Sequence, residues 1–492
     1  MNHSLPSKRL VTVALAGLFL SACETIGPIQ QTMERAYNDP CSGERDGVMQ
    51  AVGAGLGGFL GGKVGEKISE KNGELIGTLI GGVAGSLLAK SISARNCELH
   101  KIAQANNVPI TFSSVQLEGQ QTSKANMVVI EDPVAQFQVN SSKPTPQAKQ
   151  FFLDMARQYY KLPDNIPASE QQAFLRERTQ MRIFLIGHSD DTGNSAYNAQ
   201  LSEERAKAVA EIFASAGFSN TQIFYQGAGE MFPVASNLTE GGRAKNRRVE
   251  ILDVADETAF TQYLSQRRTN LAYLTPSNEA SVANTESSKK PAPPAPTAKA
   301  NPKIDFGGDL VTTQYAQLNF VPEQTTSTLF PISEARADTV ANSCAMDRAR
   351  ASRGVKSLDG KQYKTQDYMP GLYGASWAGN ANGHLITMEK MAVLRDQALP
   401  AMSPTLRVYK DYSNPRAKPN VTENPDVNVY RGKGSILYRV FSKDPTVKCM
   451  DIVIEQGTNG SFGVGDTNLV YAVGPSNYQK RLQMQIFNKK KQ

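Results

Sequence analysis

The sequence predicts several folded units. At the centre is an α/β (α+β) sandwich. A helical hairpin striped with glycine precedes it, and a mixed α/β or β-rich domain follows. Three observations lead there. The chain has 492 residues, too many for one ordinary domain. Between residues 98 and 254, short apolar runs alternate with segments of helical spacing, the pattern of a layered α/β unit. Residues 274–305 are rich in Pro, Ala, Ser and Lys, with Pro291, Pro293, Pro294 and Pro296 close together. Such a stretch buries no core and reads as an extended linker, which sets residues 306–492 apart as a further domain.

Charged residues make up 20% and hydrophobic ones 40% of the chain, the balance of a soluble, foldable protein. The formal net charge is +7. That mild excess suits an anionic wall or lipid surface and is too diffuse to imply nucleic acid. Lys489, Lys490 and Lys491 form the one basic cluster, a solvated terminal tail.

Residues 1–22 read as a secretory signal, with Lys8 and Arg9 as its basic start and residues 11–20 as its apolar middle. Its end, Leu20-Ser21-Ala22-Cys23, resembles the bacterial lipobox. The resemblance implies cleavage before Cys23 and acylation of that residue, a firm anchor at about 0.8 kcal/mol per buried CH₂. Glu24 stands where many inner-membrane lipoproteins carry aspartate, which favours the outer membrane, on its periplasmic face. Residues 23–40 then read as a tether.

Residues 41–97 read as the hairpin. Gly53, Gly57, Gly61 and Gly65 lie four apart, as do Gly73, Gly77, Gly81 and Gly85. Each set lays a glycine stripe on one face of an apolar helix, where another helix can approach closely. Glycine costs roughly 1 kcal/mol in an exposed helix, so the stripes need a packing reason. The stretch resembles a glycine-zipper module. Insertion in the outer membrane, self-association into a homo-oligomer and a plain αα-hairpin all stay open. Cys41 and Cys97 are equidistant from the polar turn at 66–72, so a disulfide between them would clamp the hairpin's open end. With Cys23 removed, Cys344 and Cys449 are left, and parity alone pairs them.

Within 98–254, residues 108–112 and 127–139 read as strands, 149–161 as a helix, 181–186 as a strand and 201–216 as a helix. Residues 223–226 and 248–252 are further strands, and a closing helix is expected over 255–273. The polar stretch from Gly187 to Arg205 links the third strand to its helix. Ser202 suits an N-cap, which puts Arg205 in a first turn where a cation is unfavourable by roughly 0.3–1 kcal/mol. An anion held between Arg205 and the free N–H groups of that turn would resolve the conflict. Asp190 offers the opposite charge. Either these two side chains pair with each other, or together they grip a small zwitterion, one end each.

Gly-His-Ser-Asp, Tyr-Asn and Leu-Ser-Glu-Glu-Arg-Ala in this stretch resemble the signature of the OmpA-like peptidoglycan-binding domain. The similarity continues through Gly227, Gly229-Glu230, Pro233, Asn237-Leu238-Thr239, Gly242-Arg243 and Asn246-Arg247-Arg248. It implies that Asp190 takes the ammonium and Arg205 the carboxylate of diaminopimelate in the stem peptide. Ser189, Asn198 and Leu201 complete the set. The family's Phe-Asp-Ser has become Phe137-Gln138-Val139-Asn140-Ser141, so an amide, Asn140, stands for the usual aspartate. It hydrogen-bonds but brings no charge. Arg243, Arg247 and Arg248 either touch the glycan or brace the scaffold.

Residues 306–492 resemble no family. A helix is expected over 335–352, strands over 406–409, 435–441, 450–455 and 468–473, and a flexible loop over 457–465. His384 is the domain's one histidine, so a Cys–His nucleophile pair with Cys344 or Cys449 competes with the disulfide. Trp377 reads as an exposed partner loop or as a buried anchor. No paired-carboxylate, metal-spaced or phosphate-cradling motif is found, so no catalytic residue, metal or cofactor is expected. The sequence thus points to a lipid-anchored outer-membrane tether on peptidoglycan, its last domain meeting a protein partner, within a secretion apparatus or motor. A wall-modifying enzyme with its activity after residue 306 is the alternative.

Overall fold

The structure, a computed structural model, describes residues 40–41, 87–115, 117, 125–131, 136–138, 141–162, 166–277, 304–312, 314–322, 340, 342–363, 376–394, 399–457 and 462–486. The expected signal segment, Cys23, both glycine stripes, Asn140, residues 278–303 of the linker and the basic tail lie outside them.

The first unit is a mixed six-stranded sheet in the order β1-β2-β5-β3-β4-β7. Strands β1 (Ile110–Val115), β2 (Ala125–Glu131) and β5 (Arg248–Val254) run antiparallel, as do β5 and β3 (Arg182–His188). β3 and β4 (Ile223–Gly229) are parallel. A parallel pair needs a long crossover, and helix α4 (Ser195–Ser215) supplies it. Before it come α1 (Leu87–Ala105), α2 (Pro146–Tyr160) and α3 (Ala168–Gln180), and after it α5 (Glu240–Asn246) and α6 (Glu257–Gln266).

Period-2 alternation along β3 buries both faces of this sheet. Ile183 and Leu185 join Phe151, Phe152, Met155, Val209 and Phe213 on the side of α2 and α4. Phe184 and Ile186 join Phe224, Leu252, Phe260 and Tyr263 on the side of α6. Helix α2 forms because Thr145 accepts a hydrogen bond from the Ala148 N–H, Pro146 suits its first turn, and its apolar residues recur on one face. Two glycines set the seat of α4. A Cβ on Gly187 would lie 2.1 Å from the Ser202 carbonyl oxygen, and one on Gly227 would lie 2.3 Å from that of Ala199. Only the missing side chains let the helix rest on these strands.

Cys41 and Cys97 are joined, as are Cys344 and Cys449. Helix α1 runs through Cys97 to Ala105, so the residues on either side of the expected 97/98 boundary share one helix. The buried pair Arg95–Asp253, at 2.7 Å, ties that helix to β5.

The second unit is β-rich. A five-stranded sheet has the order β11-β10-β9-β8-β17, and a six-stranded one β12-β13-β14-β15-β16-β6. The five-stranded sheet comprises β8 (Ser376–Ala381), β9 (His384–Glu389), β10 (Thr405–Tyr409), β11 (Val421–Glu423) and β17 (Gln485–Ile486). The other comprises β6 (Asp309–Leu310), β12 (Asp426–Gly432), β13 (Ser435–Phe441), β14 (Val447–Gln456), β15 (Phe462–Val473) and β16 (Ser476–Leu482). Leu406, Val408, Ile386 and Met388 of the first share a core with Tyr438, Met450, Ile452 and Leu469 of the second. Trp377 is buried in that core, which settles it as an anchor and not a partner loop.

The opposite face of the six-stranded sheet is also covered. Asn428, Arg439, Asp451 and Asn468 lie side by side in register across it. Tyr430, Leu437 and Val453 on that face pack against Met231, Leu271 and Leu274 of the first unit. The segment 342–363 runs between the two units. Cys344 bonds it to β14, and at its far end β7 (Lys356–Ser357) pairs antiparallel with β4.

Several expectations change. In the described part of the helix expected over 335–352, Val340 and Asn342 are helical, but a 3₁₀ turn, Cys344–Met346, and extended chain follow, because the backbone there bonds outward. Examples are Ala351 N to the Ser195 side chain and Arg350 N to the Asn428 side chain. The closing helix splits into α6 and a 3₁₀ turn, Leu271–Tyr273. The strand expected over 127–139 begins at Ala125 and ends at Glu131. The flexible loop expected over 457–465 gives way from Phe462 to strand β15.

Candidate functional site

Helix α4 starts earlier than the sequence suggested. Its N-cap is Asn194, whose side chain accepts from the Tyr197 N–H, and Gly193 takes the positive φ (85°) of the preceding turn. Ser202 is not a cap. Its buried hydroxyl donates to Ala199 O at 3.0 Å and accepts from Gly229 N at 3.1 Å, pinning the helix to β4. Arg205 therefore lies inside the helix and not in its first turn, where N–H groups are already bonded within the helix. An anion held on free N–H groups beside Arg205 is excluded.

The loop from Ser189 to Asn194 is held from within. Asp190 Oδ1 accepts from Thr192 N at 3.0 Å and from its hydroxyl at 2.5 Å. Asn198 Nδ2 donates to Thr192 O at 2.9 Å and to Asp190 O at 3.4 Å. Ser189 N donates to Gly229 O, and its buried hydroxyl finds no hydrogen-bond partner among the described residues. Asp190 Oδ2 is 2.7 Å from Arg247 Nη1, so the carboxylate pairs with Arg247 and not with Arg205. Arg247 also holds Glu240 at 2.8 Å. Arg205 Nε donates to Ser141 O at 3.1 Å, and its guanidinium lies 5.1 Å from the centre of the Phe137 ring.

A small solvent-open cleft lies here, lined by Phe137, His188, Arg205, Arg247 and Arg248 among others. Its own volume is only about 10 Å³, room for about one water, so a ligand would rest across its mouth. Asp190, Ser189, Asn198 and Leu201 do not line it, and Leu201 is half-buried on α4. Arg247 joins the two groups of residues, reaching Asp190 while lining the cleft beside Arg205.

The cleft floor is ionic and dry. Arg248 bonds Glu250 at 2.7 Å and the Phe232 carbonyl at 3.0 Å. His188 lies 3.2 Å from Glu250. Burial, aided by the Arg248 charge, lowers the His188 pKa to about 4, which keeps the ring neutral near pH 7. Burial works against the Glu250 charge, but Arg248 and His188 outweigh it and hold this carboxyl well below its usual range. Arg243 bonds Glu240 and Asn237 O. Of the three arginines, Arg243 braces the scaffold, while Arg247 and Arg248 brace it and also line the cleft.

Sequence reasoning missed Thr192 and His188. Thr192 was detectable, since Asp followed two residues on by Thr is the pattern of a side-chain turn. The burial of His188 had no local signal. Among the described residues, no group of three or more His, Cys, Asp or Glu is placed to hold a metal ion.

These features coincide with a known family. Residues 137–247 match the OmpA family. Residues 51–93 match the glycine zipper 2TM domain. Outer-membrane lipoprotein YfiB of Pseudomonas aeruginosa is 44% identical over 75 residues, 15% of this chain and 45% of that protein. Peptidoglycan-binding protein ArfA of Mycobacterium bovis is 45% identical over 71 residues, 14% of this chain and 22% of that protein. The chain spans less than half the length of either curated relative. The cell wall anchor of the T6SS from Pseudomonas aeruginosa is a structural neighbour, at 24% identity and a TM-score of 0.24, covering 32% of this chain and 94% of that one.

Proposed function

We propose that the OmpA-family unit binds peptidoglycan non-covalently by the free end of diaminopimelate, and that the chain tethers the outer membrane, or a machine spanning the envelope, to the wall. One observation carries this reading. Two guanidiniums, Arg205 and Arg247, face one cleft, and the second ends on Asp190. A carboxylate at the mouth of the cleft meets the planar donors that suit it. Asp190 still has capacity for an ammonium: a carboxylate offers about four lone-pair sites, and three are taken by Thr192 N, Thr192 Oγ1 and Arg247.

Relatives named as an outer-membrane lipoprotein and as peptidoglycan-binding support the location and the ligand class. Lipid on Cys23 would hold one end at the periplasmic face of the outer membrane, and the β-rich unit would meet a protein partner. Asn140, an amide in place of the family's aspartate, would hydrogen-bond the ligand without adding charge.

The enzyme reading loses its nucleophile pair, because Cys344 and Cys449 are disulfide-bonded and His384 accepts from the Asp411 N–H. Co-sedimentation with purified sacculi tests the proposal. The wild-type chain should pellet, and Asp190→Ala and Arg205→Ala should stay in the supernatant while remaining folded, as checked by circular dichroism. If both variants still pellet, the site is wrong. Release of soluble muropeptides during the incubation would favour the enzyme.

A further inference from the structure

The loop that carries Asp190 is also gripped from outside the OmpA-family unit. Arg348 Nη2, on the segment that links the two units, donates to Asp191 O at 2.9 Å and lies 3.0 Å from Glu230 Oε1. Three residues on, Ala351 N donates to Ser195 Oγ at 2.8 Å, at the first turn of α4. The loop is thus fastened on both sides of Thr192 by a segment far along the chain.

That segment is itself fixed to the six-stranded sheet. Asp347 Oδ2 accepts from Arg439 at 3.0 Å and from the Tyr430 hydroxyl at 2.7 Å. Arg350 pairs with Asp347, and its N–H donates to the Asn428 side chain at 2.9 Å. Arg439 in turn pairs with Asp451 at 2.6 Å, and the Cys344–Cys449 bond closes the frame. Glu230 supplies a second, independent argument. Its side chain is fully buried, and both cations near it, Arg348 at 3.0 Å and Arg350 at 3.8 Å, come from the linking segment. A buried carboxylate without a counter-charge is costly. The OmpA-family unit therefore carries a buried carboxyl whose cationic partners come from the segment fixed to the β-rich unit.

We propose that the β-rich unit sets the affinity of the wall-binding loop, with Arg348 as the positioning residue that holds Asp190 ready for its ligand. Arg348 does not touch the ligand. It fixes the backbone of Asp191, next to the residue that does, and it couples that backbone to a frame of buried charges in the other unit. The inference rests on the reading of Asp190 given above, and its test separates the two.

The experiment titrates a diaminopimelate-containing muropeptide into the full-length chain by calorimetry and follows amide hydrogen exchange over residues 189–194. Arg348→Ala should weaken binding about five- to tenfold, in the range of coupling between linked sites, and should speed exchange in the loop. Arg348→Lys keeps a charged donor and should restore most of both. Ser195→Ala, which removes the acceptor for Ala351 N–H, should weaken binding in the same direction even if Arg348→Ala folds poorly. If the wild-type chain binds, Asp190→Ala abolishes binding, and Arg348→Ala and Ser195→Ala bind like wild type, the positioning role is wrong and the ligand site stands. If Asp190→Ala binds like wild type, both readings fall.

Discussion

Asp190 accepts three hydrogen bonds, two from Thr192 and one from Arg247, and these fix the direction of its carboxylate. The opposite charges on Asp190 and Arg205 were legible in the sequence, but their geometry was not. An arginine 57 residues downstream of Asp190 bridges them, and no local pattern announces such a partner. Below the cleft, His188 makes a testable pH effect. Its folded pKa, near 4, lies under the ordinary 6.5, so the unfolded chain binds more protons between those values. Stability is complete above pH 6.5 and falls as pH drops toward 4, by on the order of 2–3 kcal/mol. Glu250, also held low, adds a loss in the same direction at lower pH. Thermal melts should show this decline, and His188→Asn should flatten the part between pH 6.5 and 4. Arg95→Ala removes the partner of buried Asp253 and should cost about 3–5 kcal/mol by denaturant titration.

At the scale of elements, the seat of α4 depends on Gly187. Gly187→Ala puts a methyl 2.1 Å from a backbone oxygen that cannot turn away, so about 3 kcal/mol of stability should be lost. Gly241→Ala, in α5 with nothing within 4 Å of its Cβ position, should be neutral or stabilising by up to about 1 kcal/mol. Equal melting temperatures for the two variants would refute the close-approach explanation. The β3–α4–β4 order was readable because its apolar runs are long and periodic. The start of α4 was not, because Tyr197, Asn198 and Gln200 hide the helical stripe in the first turns, and Ser202 mimics a cap. Strands β8, β12 and β16 went unrecognised for a related reason. Their sequences mix glycine, asparagine and charge with few apolar residues, and the sheet, not local preference, holds them extended. The helix expected over 335–352, which does not continue past Asn342 among the described residues, is the converse case. Helix-favouring Ala and Arg there are overridden by contacts to two units at once.

On the scale of the whole molecule, the disulfide Cys344–Cys449 and the buried charges behind it fix to the β-rich unit the segment that grips the first unit. Parity gave the Cys344–Cys449 pairing, but no sequence pattern gave the contact between units, since its residues are scattered from Asp191 to Val453. Cys344→Ser/Cys449→Ser should lower the melting temperature and weaken sacculus binding together, with a stability loss of up to about 4–5 kcal/mol for a loop this long. Unchanged binding at lowered stability would show that the two units act separately. The central claim is that the arginines of the cleft and Asp190 beside it together read both charges of diaminopimelate. Calorimetric titration of the full-length chain with two muropeptides, identical except that one carries lysine for diaminopimelate, tests it most directly. Lysine keeps the ammonium and lacks the carboxylate that Arg205 and Arg247 would hold. The account predicts at least about tenfold weaker binding of the lysine form, since losing a charge-assisted pair costs roughly 1.5–3 kcal/mol. Equal affinities for the two would contradict it.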